Sequence, residues 1–181
     1  MRYAILSLLS ASLCQPAWAE LQLQSETWQP GQQVEAAQVF QGFGCSGDNL
    51  SPQLSWSGAP AATRSFAVTL YDPDAPTGSG WWHWLVFNLP ASQQSLPAGA
   101  GNLDLQLAPA GSVQSRTDFA SNGYGGPCPP QGDAAHRYQL KVFALDVESL
   151  PLGADSPAAM VGYFLNQHKL AEAMLEVQYS R

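Results

Sequence analysis

The stretch Trp82-His-Trp-Leu-Val-Phe-Asn-Leu89 constrains this chain more than any other segment. It is aromatic and aliphatic almost throughout. Gly78-Ser79-Gly80 stands before it and Pro90 after it, so breakers bound it at both ends. A short, bounded, apolar run of this kind reads as a central strand buried on both faces. Such a strand needs partners on either side and cover above and below.

The partners are visible. Ser65–Tyr71 is a β-rich run that stops at the Asp72-Pro73 turn signal. Arg137–Asp146 alternates polar Arg137, Gln139 and Lys141 with apolar Tyr138, Leu140 and Val142, the period of a half-buried strand. Weaker strands are predicted near Leu21–Gln24, Gln33–Phe40 and Gln53–Ser57, and a final one through Leu175, Val177 and Tyr179. Helix is scarce. Ser156-Pro157 reads as an N-cap followed by a first helical proline, with one amphipathic helix from Ala158 to about His168. His168 then suits the C-terminal end of the helix dipole. No repeat or shift of composition divides residues 20–181. The predicted fold is mainly β, two packed antiparallel sheets with one or two peripheral helices.

Only 12% of the 181 residues are charged while 45% are hydrophobic, enough for a sizeable core. The sixteen Gly and fourteen Pro are dispersed, which fits turn chemistry rather than a low-complexity chain. The net charge of −7 argues against a nucleic-acid partner, since phosphate binding needs clustered Lys and Arg. It equally disfavours docking on an anionic lipid surface.

Residues 1–19 read as an address. Arg2 gives a positive start, Ala4–Leu13 is a short apolar run, and Ala17-Trp18-Ala19 supplies the small residues of a cleavage site. The run is shorter than the ~20 residues of a membrane-spanning helix. Cys14 would suit a lipoprotein anchor, but Leu13 precedes it where such signals want Gly or Ala. Cleavage after Ala19 gives a periplasmic or secreted protein with no stable membrane insertion. Cys45 and Cys128 then remain as an even pair in an oxidising compartment, and a disulfide between them is expected. Two buried thiols that never meet are the alternative.

Three loop motifs carry the chemistry. Asp72-Pro-Asp-Ala-Pro76 places two carboxylates about a proline directly after a strand, where Asp side chains also serve simply as turn caps. Trp81-Trp-His-Trp84 holds His83 among aromatics, a setting shared by ligands and by hydrogen-bonded core histidines. Gly125-Gly-Pro-Cys-Pro-Pro-Gln-Gly132 leads into His136-Arg-Tyr138, and so dense a Gly/Pro run can expose backbone N–H groups to a ligand or be an ordinary rigid loop. Strand ends of this kind can converge on one edge of a sandwich.

The motifs Asp72–Pro76, Gly80–Trp84, Gly126–Pro130 and His136–Tyr138 resemble the signature of the phosphatidylethanolamine-binding protein family, which includes the Raf kinase inhibitor proteins. Cys45-Ser-Gly-Asp-Asn-Leu-Ser-Pro-Gln-Leu-Ser-Trp56 and Gln114-Ser-Arg-Thr-Asp-Phe119 resemble its bacterial YbhB/YbcL-type branch. The likeness runs from about Trp28 to Tyr179, with the motifs in order. It implies two antiparallel sheets and a small pocket for phosphate-like groups, such as a phospholipid headgroup or a phosphorylated side chain. Carried over by motif, Asp72, His83, His136 and Tyr138 line that pocket, Trp81 and Pro76 form apolar wall, and Gly126, Pro129 and Pro130 belong to the ligand-binding loop beside Cys128. Asp74 and Arg137 give structural support, Arg137 through a salt bridge. Two departures stand out: this chain stops just after its last strand, where eukaryotic members carry a helix bordering the pocket, and Cys128 takes a rim position often held by Gly.

Histidines near carboxylates can be cationic at neutral pH, which predicts anion binding that strengthens from pH 8 toward 6. Asp72 would orient an imidazole, while ring nitrogens, loop N–H groups and the Tyr138 hydroxyl donate to phosphate oxygens. The favoured reading is a non-enzymatic, cofactor-free binding protein that captures a small anion or uses the pocket to engage a protein target, as an inhibitor or modulator of it. The alternatives are an inhibitor or signalling module acting through surface loops, and a metal-dependent hydrolase built on Asp72, Asp74, His83 and His136. A serine hydrolase lacks its Gly-x-Ser-x-Gly elbow. A homodimer is compatible with the sequence.

Overall fold

The computed structural model describes residues 20–181, and the signal segment read in residues 1–19 lies outside the described residues. The strands in chain order are β1 (Gln22–Gln24), β2 (Gln41–Gly42), β3 (Cys45–Ser46), β4 (Leu54–Ser57), β5 (Ser65–Asp72), β6 (Trp81–Pro90), β7 (Ser95–Leu96), β8 (Val113–Gln114), β9 (His136–Leu145) and β10 (Lys169–Tyr179). One helix, α1 (Ala158–His168), precedes β10. A five-stranded sheet of order β10-β9-β5-β6-β8 faces a three-stranded sheet of order β1-β4-β7, and β2 and β3 form a separate hairpin. Every pairing between these strands is antiparallel. No helix among the described residues is long and apolar enough to cross a membrane.

The large sheet is covered on both faces, as its apolar central strands require. On one face Phe66, Val68 and Leu70 of β5, Trp84 and Val86 of β6 and Leu140 and Val142 of β9 pack against Leu54, Trp56 and Leu96 of the small sheet. On the other, Ala67, Leu85, Phe87, Phe143 and Leu145 pack against Ala158, Val161 and Leu165 of α1. The three long strands predicted from sequence are therefore the middle of the molecule, each within a residue of its expected bounds.

Two expectations are corrected. Gln33–Phe40 is not a strand. It touches β10 only through a bridge from Gln33 to Gln178 and then turns through a short 3-10 segment, Ala36–Gln38. The carbonyls of Ala36, Ala37 and Val39 accept from Asp48, Leu50 and Asn49, so this segment pairs with an irregular loop rather than a ladder. Ser156 is not the helix cap either. Its hydroxyl accepts from the Gly153 N–H at 3.1 Å, while Pro157 stands at the cap in extended conformation. The Pro157 carbonyl takes the first helical bonds, from Met160 and Val161. His168 does lie in the last turn, paired with Asp146 at 2.9 Å.

Candidate functional site

The topology explains why distant motifs meet. Because β5 runs antiparallel to both β6 and β9, its C-terminal end lies beside their N-terminal ends. Asp72 thus pairs with Trp81 in register, and His136 starts the strand on the other side. Alternation along β9 then sends His136 and Tyr138 inward and Arg137 outward.

A β-bulge aims His83. Leu70 pairs with Trp84 and Tyr71 with Trp82, so β6 carries one extra residue at His83. Strict alternation would put His83 on the side of Leu85 and Phe87, under α1. The bulge instead leaves it on the side of Trp84 with Trp81, and sends Trp82 to the helix side.

These side chains enclose a cavity of about 190 Å³ at the end of the inter-sheet core. Its polar base is a chain of short contacts. Asp72 Oδ2 lies 2.8 Å from His136 Nδ1, and Asp72 Oδ1 accepts from the N–H groups of Asp74 at 2.8 Å and Ala75 at 3.0 Å. Asp72 and His136 are both buried. His83 Nδ1 lies 2.7 Å from the Gly125 carbonyl, which can only accept, so Nδ1 carries a proton and Nε2 is the ring atom left for a ligand. Burial pushes the His83 imidazole down to about 4, against the opposing pull of that carbonyl and the Asp72 charge. The Tyr138 hydroxyl is buried without a hydrogen-bond partner among the described residues. Burial and then the Asp72 carboxylate push its acidity far down, so it stays a phenol with an O–H to donate.

Of the residues read from sequence, Asp72, Pro76, Trp81, His83, Pro129, Pro130, His136 and Tyr138 line this cavity, and Cys128 is at its rim. Gly126 does not, and its expected role is corrected. It is buried behind the wall, where its N–H donates to Asn49 Oδ1 at 2.7 Å. A Cβ there would stand 2.0 Å from the Gln38 carbonyl oxygen, so the glycine serves close backbone approach. The loop is also a poor source of donors. Prolines 127, 129 and 130 have no N–H, and the Gly132 N–H is given to the Arg181 carbonyl.

Trp81 was read from sequence as wall, but two further aromatic rings of that wall, Phe43 and Phe119, were missed. Phe119 stacks with Phe43 at 5.8 Å and meets Trp81 and His83 edge-on at 5.4 and 5.2 Å. Phe119 closes the Gln114–Phe119 motif that carried the branch resemblance, which was its one available signal. Phe43 sits on the β2–β3 turn, tied to the opposite rim by the Cys45–Cys128 disulfide. Arg181 braces both rims, donating to the carbonyls of Pro129 at 2.6 Å and Phe43 at 3.2 Å.

Asp74 and Arg137 stand outside the cavity. Arg137 donates from Nε and Nη2 to the two Asp74 oxygens at 2.9 and 2.7 Å, fastening the Asp72–Pro76 turn to β9. The Arg137 hydrogen bond holds the Asp74 carboxyl at about 2. We expect an NMR carboxyl titration of Asp74 with a midpoint near 2, returning toward 3.8 in Arg137→Gln. The pair is half-exposed, so global stability should change little. A wild-type midpoint near 3.8 would show that the fork is not formed in solution.

Of the four residues suggested for a metal, Asp72 has both oxygens committed to hydrogen bonds and Asp74 has both engaged by Arg137 outside the cavity. Among the described residues no group of three or more His, Cys, Asp or Glu has the arrangement of a metal site.

Fold and site together define a mainly β protein with a small, aromatic-walled pocket where three strand ends meet. A family model described as phosphatidylethanolamine-binding protein matches residues 24–180, and the chain belongs to that family. YbcL of Escherichia coli K12 is 52% identical over 161 residues, 89% of this chain and 88% of YbcL. YbhB of the same organism is 47% identical over 160 residues, 88% of this chain and 100% of YbhB. The crystal structure of E. coli YbcL, described as a new member of the mammalian PEBP family, matches with a TM-score of 0.88 at 52% identity over 90% of this chain and 99% of that one. A PEBP homologue, CT736 of Chlamydia trachomatis, matches with a TM-score of 0.74 at 29% identity over 90% and 99% of the two chains.

Proposed function

We propose that this is an exported, non-enzymatic binding protein whose pocket takes a small phosphate-like oxyanion together with one proton. The observation that carries the reading is the base of the cavity: a neutral His83 with a bare Nε2, an unpartnered Tyr138 hydroxyl and the buried Asp72–His136 pair around about 190 Å³. A fully ionised dianion finds the lone pair of Nε2 and the Asp72 charge repulsive. A protonated one donates its O–H to Nε2 and accepts from the Tyr138 hydroxyl. The second ionisation of phosphoryl groups lies near 6, so the monoanion is plentiful at the acid end of the physiological range. Phe43, Trp81 and Phe119 would cover whatever short chain the headgroup carries.

Calorimetric titration with phosphoethanolamine between pH 8 and 5.5 tests this. Saturable binding should strengthen as pH falls from 8 toward 6 and level off below it, with about one proton taken up per ligand at pH 8 and about a quarter of one at pH 5.5, and weaken at least about tenfold in His136→Ala. Binding that is flat with pH, or absent throughout, overturns the reading. Export is supported by the Cys45–Cys128 disulfide, which belongs to an oxidising compartment. It predicts Glu20 as the first residue of the protein recovered from outside the cytoplasm. Phe43, exposed at the rim, favours a further role for the same edge in holding a protein target, which would make the protein a modulator of that target.

A further inference from the structure

Five-stranded sheet and helix α1 enclose a second cavity of about 250 Å³, on the opposite face of the sheet from the pocket. This chain has only two lysines, Lys141 and Lys169, and both line that cavity. Lys141 Nζ lies 3.3 Å from Glu172 Oε1 and Lys169 Nζ 2.8 Å from Glu172 Oε2, so two ammonium groups share one carboxylate. The nearby Glu176 is engaged by the Gln139 amide at 3.1 Å. Each ammonium has three N–H groups, which leaves capacity for a second acceptor between them. Two ammonium groups and one carboxylate line the cavity itself, with the Glu176 carboxylate turned to the Gln139 amide beside it.

The other walls are aromatic. The bulge at His83 turns Trp82 to this side, where its ring lies 4.6 Å from that of Tyr71. Gly162 of α1 passes over Trp82, and a Cβ there would meet the indole only at 3.6 Å. The helix therefore leaves a slot beside the indole that a side chain would occupy. At ~30 Å³ per water the cavity has the volume of ~8 waters, which suits a ligand of about ten non-hydrogen atoms.

We propose that this cavity is a second ligand site, for a small aromatic monocarboxylate whose ring lies on Trp82 and Tyr71 and whose carboxylate sits between Lys141 and Lys169. The geometry repeats what Glu172 already does, with a ligand oxygen pair taking the free ammonium donors. The indole face gives the ring an offset-stacking partner and loses water on contact.

The experiment is a ¹H–¹⁵N NMR titration of the protein with phenylacetate, with benzyl alcohol as the uncharged control. Phenylacetate should shift the Trp82 indole and Gly162 amide saturably in the millimolar range, and benzyl alcohol should bind at least about tenfold more weakly. Lys141→Met with Lys169→Met keeps the aliphatic stems and should weaken phenylacetate by at least about tenfold. Gly162→Leu fills the slot and should abolish the shifts with both lysines intact. Absence of saturation, equal binding of the two probes, or shifts that survive either variant overturns the proposal. Should Gly162→Leu fail to fold, the lysine pair decides alone, since both side chains are partly exposed and Met keeps their aliphatic stems.

Discussion

Replacing both Cys45 and Cys128 by Ala should lower the free energy of unfolding by about 4.5 kcal/mol, the loop-entropy value for residues 83 apart. Urea denaturation of the variant against wild type reads this as a lower midpoint. A loss under about 1 kcal/mol would mean that the unfolded chain is already compact enough for the bridge to constrain little. The effect is large because of what the bridge joins. On one side is a hairpin with two residues per strand, too short to be stable alone. On the other is the Pro-rich loop before β9. Without the bridge, Phe43 is held by contacts to Phe40 and Phe119 and by Arg181. We therefore expect faster amide exchange over residues 42–46 and weaker ligand binding, beyond the loss of global stability. Unchanged exchange there would show that the rim is held by the aromatic cluster instead.

That rim also shows where sequence reading stops. The three long strands were legible from signals local to each: breakers at both ends of β6, Asp72-Pro73 at the end of β5, and polar/apolar alternation along β9. The two-residue strands were not, since β2, β3, β7 and β8 are too short for a period and exist only through their partners. Gln33–Phe40 has strand composition, yet Ala36–Gln38 turns because its carbonyls are claimed by residues 48–50. The polar base of the site was readable from motifs at the ends of β5, β6 and β9, which topology then brought together. Of its walls only Trp81 and Pro76 were, since Phe43 and Phe119 lie on remote loops that the disulfide and ring packing deliver. Gly126 was misread for a related reason: a glycine needed for close approach to Gln38 looks the same in sequence as one that offers its N–H to a ligand. The side of the sheet that His83 faces depends on a bulge, and no residue of β6 announces it.

The second large effect concerns that histidine. Folding lowers the His83 imidazole from 6.5 to about 4, chiefly because burial penalises the cation. Between those values the unfolded chain holds a proton at this position that the folded one does not. Unfolding therefore takes up a proton, and stability falls as pH falls through the window. The contribution is fully present above pH 6.5 and should be diminished by about 2 kcal/mol at pH 5. His83→Gln removes the titrating group while leaving an amide able to donate to the Gly125 carbonyl, and its stability should be flatter from pH 8 to 5. Denaturation at pH 8, 6.5 and 5 for both proteins gives the answer. Equal slopes, or an NMR titration of His83 near 6.5, would show that water reaches the ring. The ligand reverses this cost in part. An oxyanion that brings its own proton satisfies Nε2 without charging it, so bound protein should gain stability from the ligand most strongly at the acid end. Phosphoethanolamine should thus raise the unfolding midpoint more at pH 6 than at pH 8 in wild type, and lose that pH preference in His83→Gln. A pH preference that survives the substitution would move the proton from His83 to the Asp72–His136 pair.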